Sequence, residues 1–343
     1  MQCLSGAGRC SVKETAPAHL AYRTESPRVA VRGWGLLTGW GRGLPSLPPN
    51  GHSVTHGQRI LPVATPPLTS ERLRRATREC LLGVAAVEAA LDHSQMSHDE
   101  VAGSRTALVF ASASAYAAAN WTFLTGGTET ALHFPYTAPS AVPGEVTIQF
   151  GLTGPYLTLL SGANAGIEAL WQAVTLLSTA QCDRAIVLGV ETFQGCAELY
   201  AAGRWLLGTP LTEVAACLIL ERHASLAGVR YGAAHGESGL LSLVQQEPGQ
   251  TVTGVYLCTP TTHDGQRAAQ DLQAHWPGVA LALVHERCGI CLACSPLIAL
   301  MLAITAGLPG DVLFLSHWWD AWSLLRWPMP MAFTPSPSGR GQG

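Results

Sequence analysis

Short apolar segments that alternate with a helical repeat constrain the fold of this chain more than any other feature. Four of them have the length and composition of buried strands, namely ALVFAS (107–112), YLTLLS (156–161), AIVLGV (185–190) and AACLILE (215–221). Between the second and the third, apolar residues recur at helical spacing from Asn164 to Ala180. This alternation predicts an α/β fold.

The pattern recurs in the second part of the chain. Before the four segments, RVAVRGWGLLTGWG predicts a strand from Arg28, and a Ser cap predicts a helix from Ser70. After them come GVYLC (254–258), VALALV (279–284), an apolar helix near Pro296 to Ala306 and DVLFLS (311–316). Two halves of similar character indicate an internal duplication, with a first half at 28–222 and a shortened second half at 223–333.

Composition excludes several partners and compartments. Charged residues make up 13% of the chain, with 20 basic against 23 acidic, so no nucleic-acid partner is expected. The 10 cysteines are scattered among apolar segments, which favours free thiols in a reducing, cytoplasmic location. The charge-free segment Ile290–Leu308 is interrupted by Pro296 and Gly307, which predicts a buried helix rather than a membrane span.

The two ends of the chain have the composition of disordered segments. Residues 1–27 are polar and lack the continuous apolar core of a signal peptide. Residues 334–343 read TPSPSGRGQG, which is typical of a disordered tail. We therefore expect the folded body to lie between them.

Residues 135–191 resemble the β-ketoacyl synthase family, and the likeness extends over 28–222. The family's motif positions are matched by Gly154, Pro155, Gly166, Ala169, Asp183, Gly189 and Glu191. The resemblance implies a thiolase-like αβαβα layered sandwich built from two duplicated halves. It also implies residues for catalysis, which can be checked one by one.

This chain departs from the family at its catalytic positions. The family's nucleophilic cysteine, at a strand-to-helix elbow that lowers its pKa, corresponds to Ala163, which cannot form a thioester. The first family histidine corresponds to Cys258, and the second falls within a residue or two of Arg287. His263 and His285 are the alternatives for these two histidine positions. We expect no catalytic residue, no metal and no cofactor.

What the resemblance implies is a chain-length factor of a type II polyketide synthase, of the highly reducing, polyene-forming kind. Its partners would be a ketosynthase subunit and an acyl carrier protein. The interface would be the strand made of Tyr156, Leu157, Thr158, Leu159, Leu160 and Ser161. An unpaired apolar strand of this kind would be a sticky edge.

Two aromatic segments are candidates for shaping the acyl tunnel. Within 115–136, the proposed tunnel-lining residues are Tyr116, Trp121, Phe123, Leu124 and Phe134. In place of the family's gating loop stand His317, Trp318 and Trp319, which we interpret as a plug of the vacant pocket. Ordinary core packing is the alternative for both segments.

Other readings of the sequence remain open. Ser161 is the alternative nucleophile, although no His or Asp partner is placed by the sequence. Cys288, Cys291 and Cys294 have the CxxCxxC spacing of iron–sulfur sites, but small apolar packing residues are the simpler interpretation. The alternative functions are an unconventional acyltransferase or malonyl decarboxylase of the same fold, and a lipid-binding scaffold.

Overall fold

The computed structural model describes residues 29–50, 58–68, 70–126, 134–198, 210–223, 228–236, 238–247 and 251–329. The predicted disordered segments, 1–27 and 334–343, lie outside these ranges. The division into halves at 222/223 stays a prediction, but the duplication itself can be judged from the sheets.

The first sheet is formed mainly by the apolar segments of the first half. Its strands are β1 (Val29–Thr38), β2 (Gly41–Arg42), β4 (Thr106–Ala111), β5 (Tyr156–Leu159), β6 (Arg184–Glu191) and β8 (Val214–Arg222). Their spatial order is β2-β1-β8-β6-β4-β5. Strands β5, β4 and β6 are parallel, whereas β8 and β1 are antiparallel to their neighbours. A separate pair consists of β3 (Ile60–Leu61) and β7 (Leu211–Thr212).

The second sheet repeats this arrangement. Its strands are β9 (Arg230–His235), β10 (Val252–Cys258), β11 (Ala280–Leu283), β12 (Gly310–Trp318) and β13 (Ala321–Met329). In the order β11-β10-β12-β13-β9, three parallel strands are again followed by two antiparallel ones. Strand β11 therefore occupies in the second sheet the place of β5 in the first.

Helices cover both sheets and fill the space between them. They are α1 (Arg78–Ser94), α2 (His98–Val101), α3 (Ala117–Thr125), α4 (Ala141–Phe150), α5 (Ala165–Ser178), α6 (Gly239–Val244), α7 (Thr262–His275), α8 (Val284–Cys288) and α9 (Ser295–Ala306). One apolar cluster joins α5 and α9 to both sheets. Two others join α1 and α4 to the first sheet and α6 and α7 to the second. These five layers confirm the predicted thiolase-like αβαβα sandwich of two duplicated halves.

The layer order explains the most apolar helix. Helix α9 is buried along most of its length, because it packs between the sheets against α5. The segment Ile290–Leu308 contains this helix and a preceding 3₁₀ turn, Leu292–Cys294. Within the described part of the chain, no helix is both long and apolar enough to cross a membrane.

The helix predicted from Ser70 begins later than expected. Ser70 caps a 3₁₀ turn, Glu71–Arg75, by accepting a hydrogen bond from the Arg72 amide. The chain is then extended at Ala76 and Thr77, and α1 begins only at Arg78. The cap was therefore assigned correctly, but to a separate short turn.

Candidate functional site

The elbow between β5 and α5 is a 3₁₀ turn, Gly162–Asn164, in the middle of the molecule. Gly162 has a φ of 65°, a left-handed conformation that favours glycine. Ala163 follows it and is 2% exposed. Its methyl group is closely surrounded and offers no atom that can bond covalently to an acyl group.

The equivalent turn of the second half packs directly against this elbow. That turn is Leu292–Cys294, which precedes α9 as Gly162–Asn164 precedes α5. The approach is so close that a Cβ built on Gly166 would lie 2.0 Å from the carbonyl oxygen of Ala293. The two halves of the protein therefore meet at their two helix-starting turns.

Strand β12 supplies the polar contact and the aromatic cover of the elbow. Ser316 donates a hydrogen bond from Oγ to the carbonyl oxygen of Ala163, at 3.1 Å. The indole of Trp318 lies against Gly162, where an added Cβ would be 2.2 Å from Nε1. Trp318 also packs with the apolar side chains Phe193, Leu211, Ile290 and Leu292. Trp318 thus fills space beside the elbow.

The other two residues of the predicted plug lie elsewhere. His317 stacks on Trp322, with ring centroids 4.4 Å apart, and its Nδ1 is 3.8 Å from Asp264. Burial lowers the pKa of His317 below its ordinary value. Trp319 is 82% exposed at the β12–β13 turn. The plug prediction is therefore wrong for the placement of His317 and Trp319, because consecutive strand residues face opposite sides and the turn directs Trp319 outward.

Cys258 lies one strand away from Ser316, with which it is in register. It is 2% exposed, and burial raises the pKa of its thiol well above the ordinary value. A neutral thiol in an apolar environment is a poor nucleophile and cannot polarise a carbonyl as an imidazolium would. Cys258 is consequently unsuited to the chemistry of a catalytic histidine, and its correspondence to the first family histidine stays a prediction.

Arg287, which the resemblance places near the second family histidine, is engaged with another part of the chain, and its correspondence to that histidine stays a prediction. It lies on α8, and its Nε donates a hydrogen bond to the carbonyl oxygen of Pro48 at 3.2 Å. The turn that does reach the elbow, Leu292–Cys294, begins five positions later.

The two alternative histidines have different environments. The side chain of His263 is 85% exposed on α7, next to Asp264. His285 is buried under the start of α7, where a Cβ built on Gly265 would lie 2.7 Å from its Cε1. Both histidines are associated with α7 and with the outer face of the second sheet.

A cavity of about 380 Å³ lies between α3, the start of α1 and the turn after β6. It is lined by Thr77, Arg78, Glu79, Ala118, Ala119, Thr122, Gln194 and Gly195. The wall contributed by α3 therefore consists of small side chains. This cavity belongs to the segment that the sequence predicted to shape a tunnel, although the lining residues differ from the predicted ones.

The predicted tunnel-lining aromatic residues do not line this cavity. Leu124 and Phe134 are 77% and 62% exposed, and the rings of Phe123 and Phe134 pack together at 5.6 Å. Tyr116 and Trp121 are half-buried, and residues 127–133 lie outside the described ranges. Their contribution to a tunnel shared with a partner stays a prediction, whereas the small residues Ala118 and Ala119 line the cavity.

Two buried glutamates that the sequence analysis did not single out as functional fix the cavity walls. Glu213 accepts hydrogen bonds from the amides of Phe193 at 2.8 Å, Gln194 at 2.7 Å and Val63 at 2.9 Å. It also forms an ion pair with Arg78 at the start of α1. Glu191 accepts hydrogen bonds from the amides of Ala113 and Ser114, which lead into α3. The family motif marked Glu191, and only the isolated acidity of Glu213 between apolar strands could have drawn attention to it.

Strand β5 is an edge of the first sheet, as the interface prediction requires, but its pairing with a partner stays a prediction. The Leu108 amide donates to the Pro155 carbonyl, and the Ser112 amide donates to the Leu159 carbonyl. Leu157 and Leu159 therefore direct their backbone groups at β4, whereas Tyr156, Thr158 and Leu160 direct theirs away from it. Tyr156 and Leu160 are 46% and 42% exposed along this open edge.

Ser161, at the end of this edge, is held by a carboxylate. Its Oγ donates a hydrogen bond to Glu168 on the first turn of α5. No described imidazole is hydrogen-bonded to Ser161, so the arrangement lacks the base that activates a serine nucleophile. The contact instead connects the elbow to α5.

The CxxCxxC cysteines are buried in the core between the sheets. Cys288 ends α8, Cys291 precedes the second-half turn, and Cys294 ends that turn, so they do not share a helix. Each thiol donates to a backbone carbonyl, as Cys288 does to Val284 at 3.2 Å. Among the residues that the structure describes, no group of three His, Cys, Asp or Glu side chains is arranged to hold a metal ion.

Comparison with known proteins gives a family match and several structural matches. The profile described as "Beta-ketoacyl synthase, N-terminal domain" matches residues 65–245, just over half of the 343-residue chain. No curated protein sequence matches the chain. The structural matches, all at 14% identity or below, extend the likeness to both halves.

Three solved structures illustrate this likeness. "The ishigamide ketosynthase/chain length factor" superposes with a TM-score of 0.69, covering 88% of this chain and 99% of that chain at 14% identity. A type II polyketide synthase complex of acyl carrier protein and ketosynthase, AntDE:AntF, gives 0.70 with the same coverage and identity. A beta-ketoacyl synthase from Burkholderia phymatum STM815 gives 0.68, again at 14% identity and with the same coverage.

Proposed function

This chain belongs to the beta-ketoacyl synthase family, and we propose that it is a noncatalytic chain-length factor of a type II polyketide synthase. The observation that carries the proposal is that Ala163 lies in the buried turn between β5 and α5. The sequence resemblance assigns the family's nucleophile to this residue. The superposable proteins include one described as a ketosynthase/chain length factor. The proposal includes a highly reducing, polyene-forming pathway, which the products of the reconstituted complex will test.

The surroundings of Ala163 support a role without catalysis. Trp318 fills the space against Gly162, and the neighbouring Cys258 is a neutral thiol. A condensing enzyme needs a nucleophile together with groups that polarise the malonyl carbonyl. Since the elbow and its cover offer neither, we assign the chemistry to a partner ketosynthase that carries these groups.

The open edge of β5 supports a heterodimer in which the first sheets of both subunits are continuous. Its outward amides and carbonyls are free to pair with an equivalent antiparallel strand, flanked by the exposed side chains of Tyr156 and Leu160. The ketosynthase would receive the growing chain from the acyl carrier protein. This subunit would then shape the distal end of the tunnel.

The cavity beside α3 supports a role in measuring the acyl chain. Its volume of about 380 Å³ and the small side chains of Ala118 and Ala119 leave room for the end of an apolar chain. A packed wall excludes further methylene groups by volume. We therefore propose that the distance from the partner's nucleophile to this wall sets the maximal length.

Ala119→Phe should shorten the product by at least one two-carbon unit, because the ring would occupy the cavity. The measurement is mass spectrometry of products from the reconstituted pair. Ala117→Phe is the matched control: it lies on the same helix but does not line the cavity, and it should leave the length distribution unchanged. Equal distributions for both variants, with the complex intact, would disprove a measuring role for the cavity.

The isolated chain should acquire no acyl group from acyl- or malonyl-carrier protein, because Ala163 cannot accept one. Intact-mass spectrometry detects such an adduct directly. An adduct, or release of carbon dioxide from malonyl carrier protein, would favour the alternative acyltransferase or decarboxylase. Gel filtration that shows a stable homodimer and no complex with the ketosynthase would favour the lipid-binding scaffold.

A further inference from the structure

The two walls of the α3 cavity are held by two carboxylates with different electrostatic environments. Glu213 holds the turn after β6 and the start of α1, and it is paired with the guanidinium of Arg78. Glu191 holds the start of the opposite wall. In the described part of the chain its hydrogen-bond donors are backbone amides and serine hydroxyls, and no salt bridge involves it.

The link from β4 to α3 depends on Glu191. Its carboxylate accepts from the amide of Ala113 at 2.7 Å and from the amide of Ser114 at 2.9 Å. The hydroxyl of Ser114 donates to the same carboxylate. The Ser114 carbonyl then accepts from the amide of Ala117, the first residue of α3, at 2.8 Å. One buried side chain, Glu191, thus holds the start of α3 in place through a single turn of backbone.

Glu191 also reaches the second half of the protein. The oxygen that accepts from Ala113 accepts a further hydrogen bond, at 3.2 Å, from the amide of Ala293. Ala293 lies in the turn that packs against the elbow. One carboxylate therefore ties α3 to the point where the two halves meet.

We propose that Glu191 is a positioning residue that sets the depth of the α3 cavity by fixing the start of α3 against the turn Leu292–Cys294. The inference rests on the proposed function, since cavity depth matters only if the cavity measures an acyl chain. It goes beyond that function because Glu191 does not line the cavity and acts through α3.

The ionisation of Glu191 provides a readout that a purely structural residue lacks. Burial raises the pKa of Glu191 to about 7, although the hydrogen bonds from Ser114, Ala113 and Ala293 oppose the rise. The titratable groups that face it are the thiols of Cys291 and Cys294, whose pKa burial raises well above the ordinary value. Thr192 separates it from Glu79, whose carboxylate accepts from the Thr192 hydroxyl at 3.0 Å.

Protonation would loosen α3 without unfolding the protein. The stability of the whole protein does not suffer from this protonation. Because the pKa of Glu191 is raised in the folded state, its contribution to the free energy of unfolding is fully present below its unfolded pKa and is lost as pH rises through about 7. The effect of protonation is local to the start of α3. A protonated Oε2 of Glu191 becomes a hydrogen-bond donor, which weakens the bond that it accepts from the Ser114 amide. Glu213 stays ionised over the same pH range. Burial would raise its pKa, but Arg78 and the surrounding amides hold that pKa below the ordinary value.

The test is the product-length distribution of the reconstituted pair between about pH 6 and pH 8, on either side of the pKa. For the wild type, the ratio of longer to shorter product should rise roughly tenfold towards pH 6 as the wall loosens. A tenfold change corresponds to the free energy gained by burying about one further two-carbon unit in the cavity. Glu191→Gln should give the longer products at both pH values. Ser114→Ala keeps the carboxylate and should retain the pH dependence.

The outcomes separate this inference from the proposed function. A pH-independent wild-type distribution, or a Glu191→Gln complex that titrates as the wild type does, would overturn the role of Glu191. If Ala119→Phe nevertheless shortens the product, the measuring cavity stands without it. If Ala119→Phe also has no effect, the proposed function itself fails. The wild-type pH profile decides the matter even if Glu191→Gln does not fold.

Discussion

Glu213→Gln should lower the free energy of unfolding by about 3–5 kcal/mol, the cost of breaking a buried ion pair from one side. Glu213 is fully buried, and its two oxygens accept from three amides and from Arg78. In glutamine, one of those oxygens becomes an NH₂ group that faces donors. The loss also leaves the guanidinium of Arg78 without its carboxylate.

Denaturant titration of the purified chain or complex measures this effect as a lower transition midpoint. Glu71→Gln is the matched control: the side chains of its pair with Arg74 are 81% and 65% exposed, so the loss should stay below about 1 kcal/mol. Because the pKa of Glu213 is lowered in the folded state, its stabilisation should disappear only as pH falls through that pKa. A midpoint shift no larger than that of the control would contradict the assignment of Glu213 as a central tie.

Thr158→Pro should weaken binding of the ketosynthase by at least about a hundredfold, because proline removes an amide that faces the open edge of β5. The substitution spares the bonds between β4 and β5, which use the neighbouring residues Leu157 and Leu159. Leu159→Pro would be a poor test, since it disrupts the protein's own sheet.

Co-purification and analytical ultracentrifugation of the tagged pair measure this loss. Thr158→Val keeps the amide and should bind as the wild type does. It also removes a buried hydroxyl oxygen that has no hydrogen-bond partner among the described residues. A Thr158→Pro chain that is folded and still forms the complex would place the interface elsewhere on the molecule.

The fold could be predicted from sequence because its evidence is local and repeated. Strands such as Ala185–Val190 are apolar on both faces, and the helix before them has a clear repeat, so α/β alternation leaves few alternatives. The family motif placed Ala163 at the elbow, where the structure has it. Element boundaries were less certain, as Ser70 showed, because a capping residue marks a helix start but not its length.

The details of the site depended on contacts that the sequence does not contain. Only tertiary packing shows that the turn around Ala293 lies against the elbow, whereas Arg287 bonds to the carbonyl of Pro48. The large side chains of segment 115–136 suggested a wall, whereas a cavity is formed where side chains are small, at Ala118 and Ala119. The role of Glu213 required its three distant amide donors to be seen together.

The open edge of β5 also raises the question of how a specific partner is selected. A ladder of backbone hydrogen bonds is indifferent to side-chain identity, so two copies of this chain could pair as readily as one copy with a ketosynthase. Discrimination must therefore come from the side chains that flank the ladder, above all Tyr156 and Leu160. Different side chains at those two positions could prevent related subunits from exchanging partners. Substitutions at the same positions could be used to change which partner is bound.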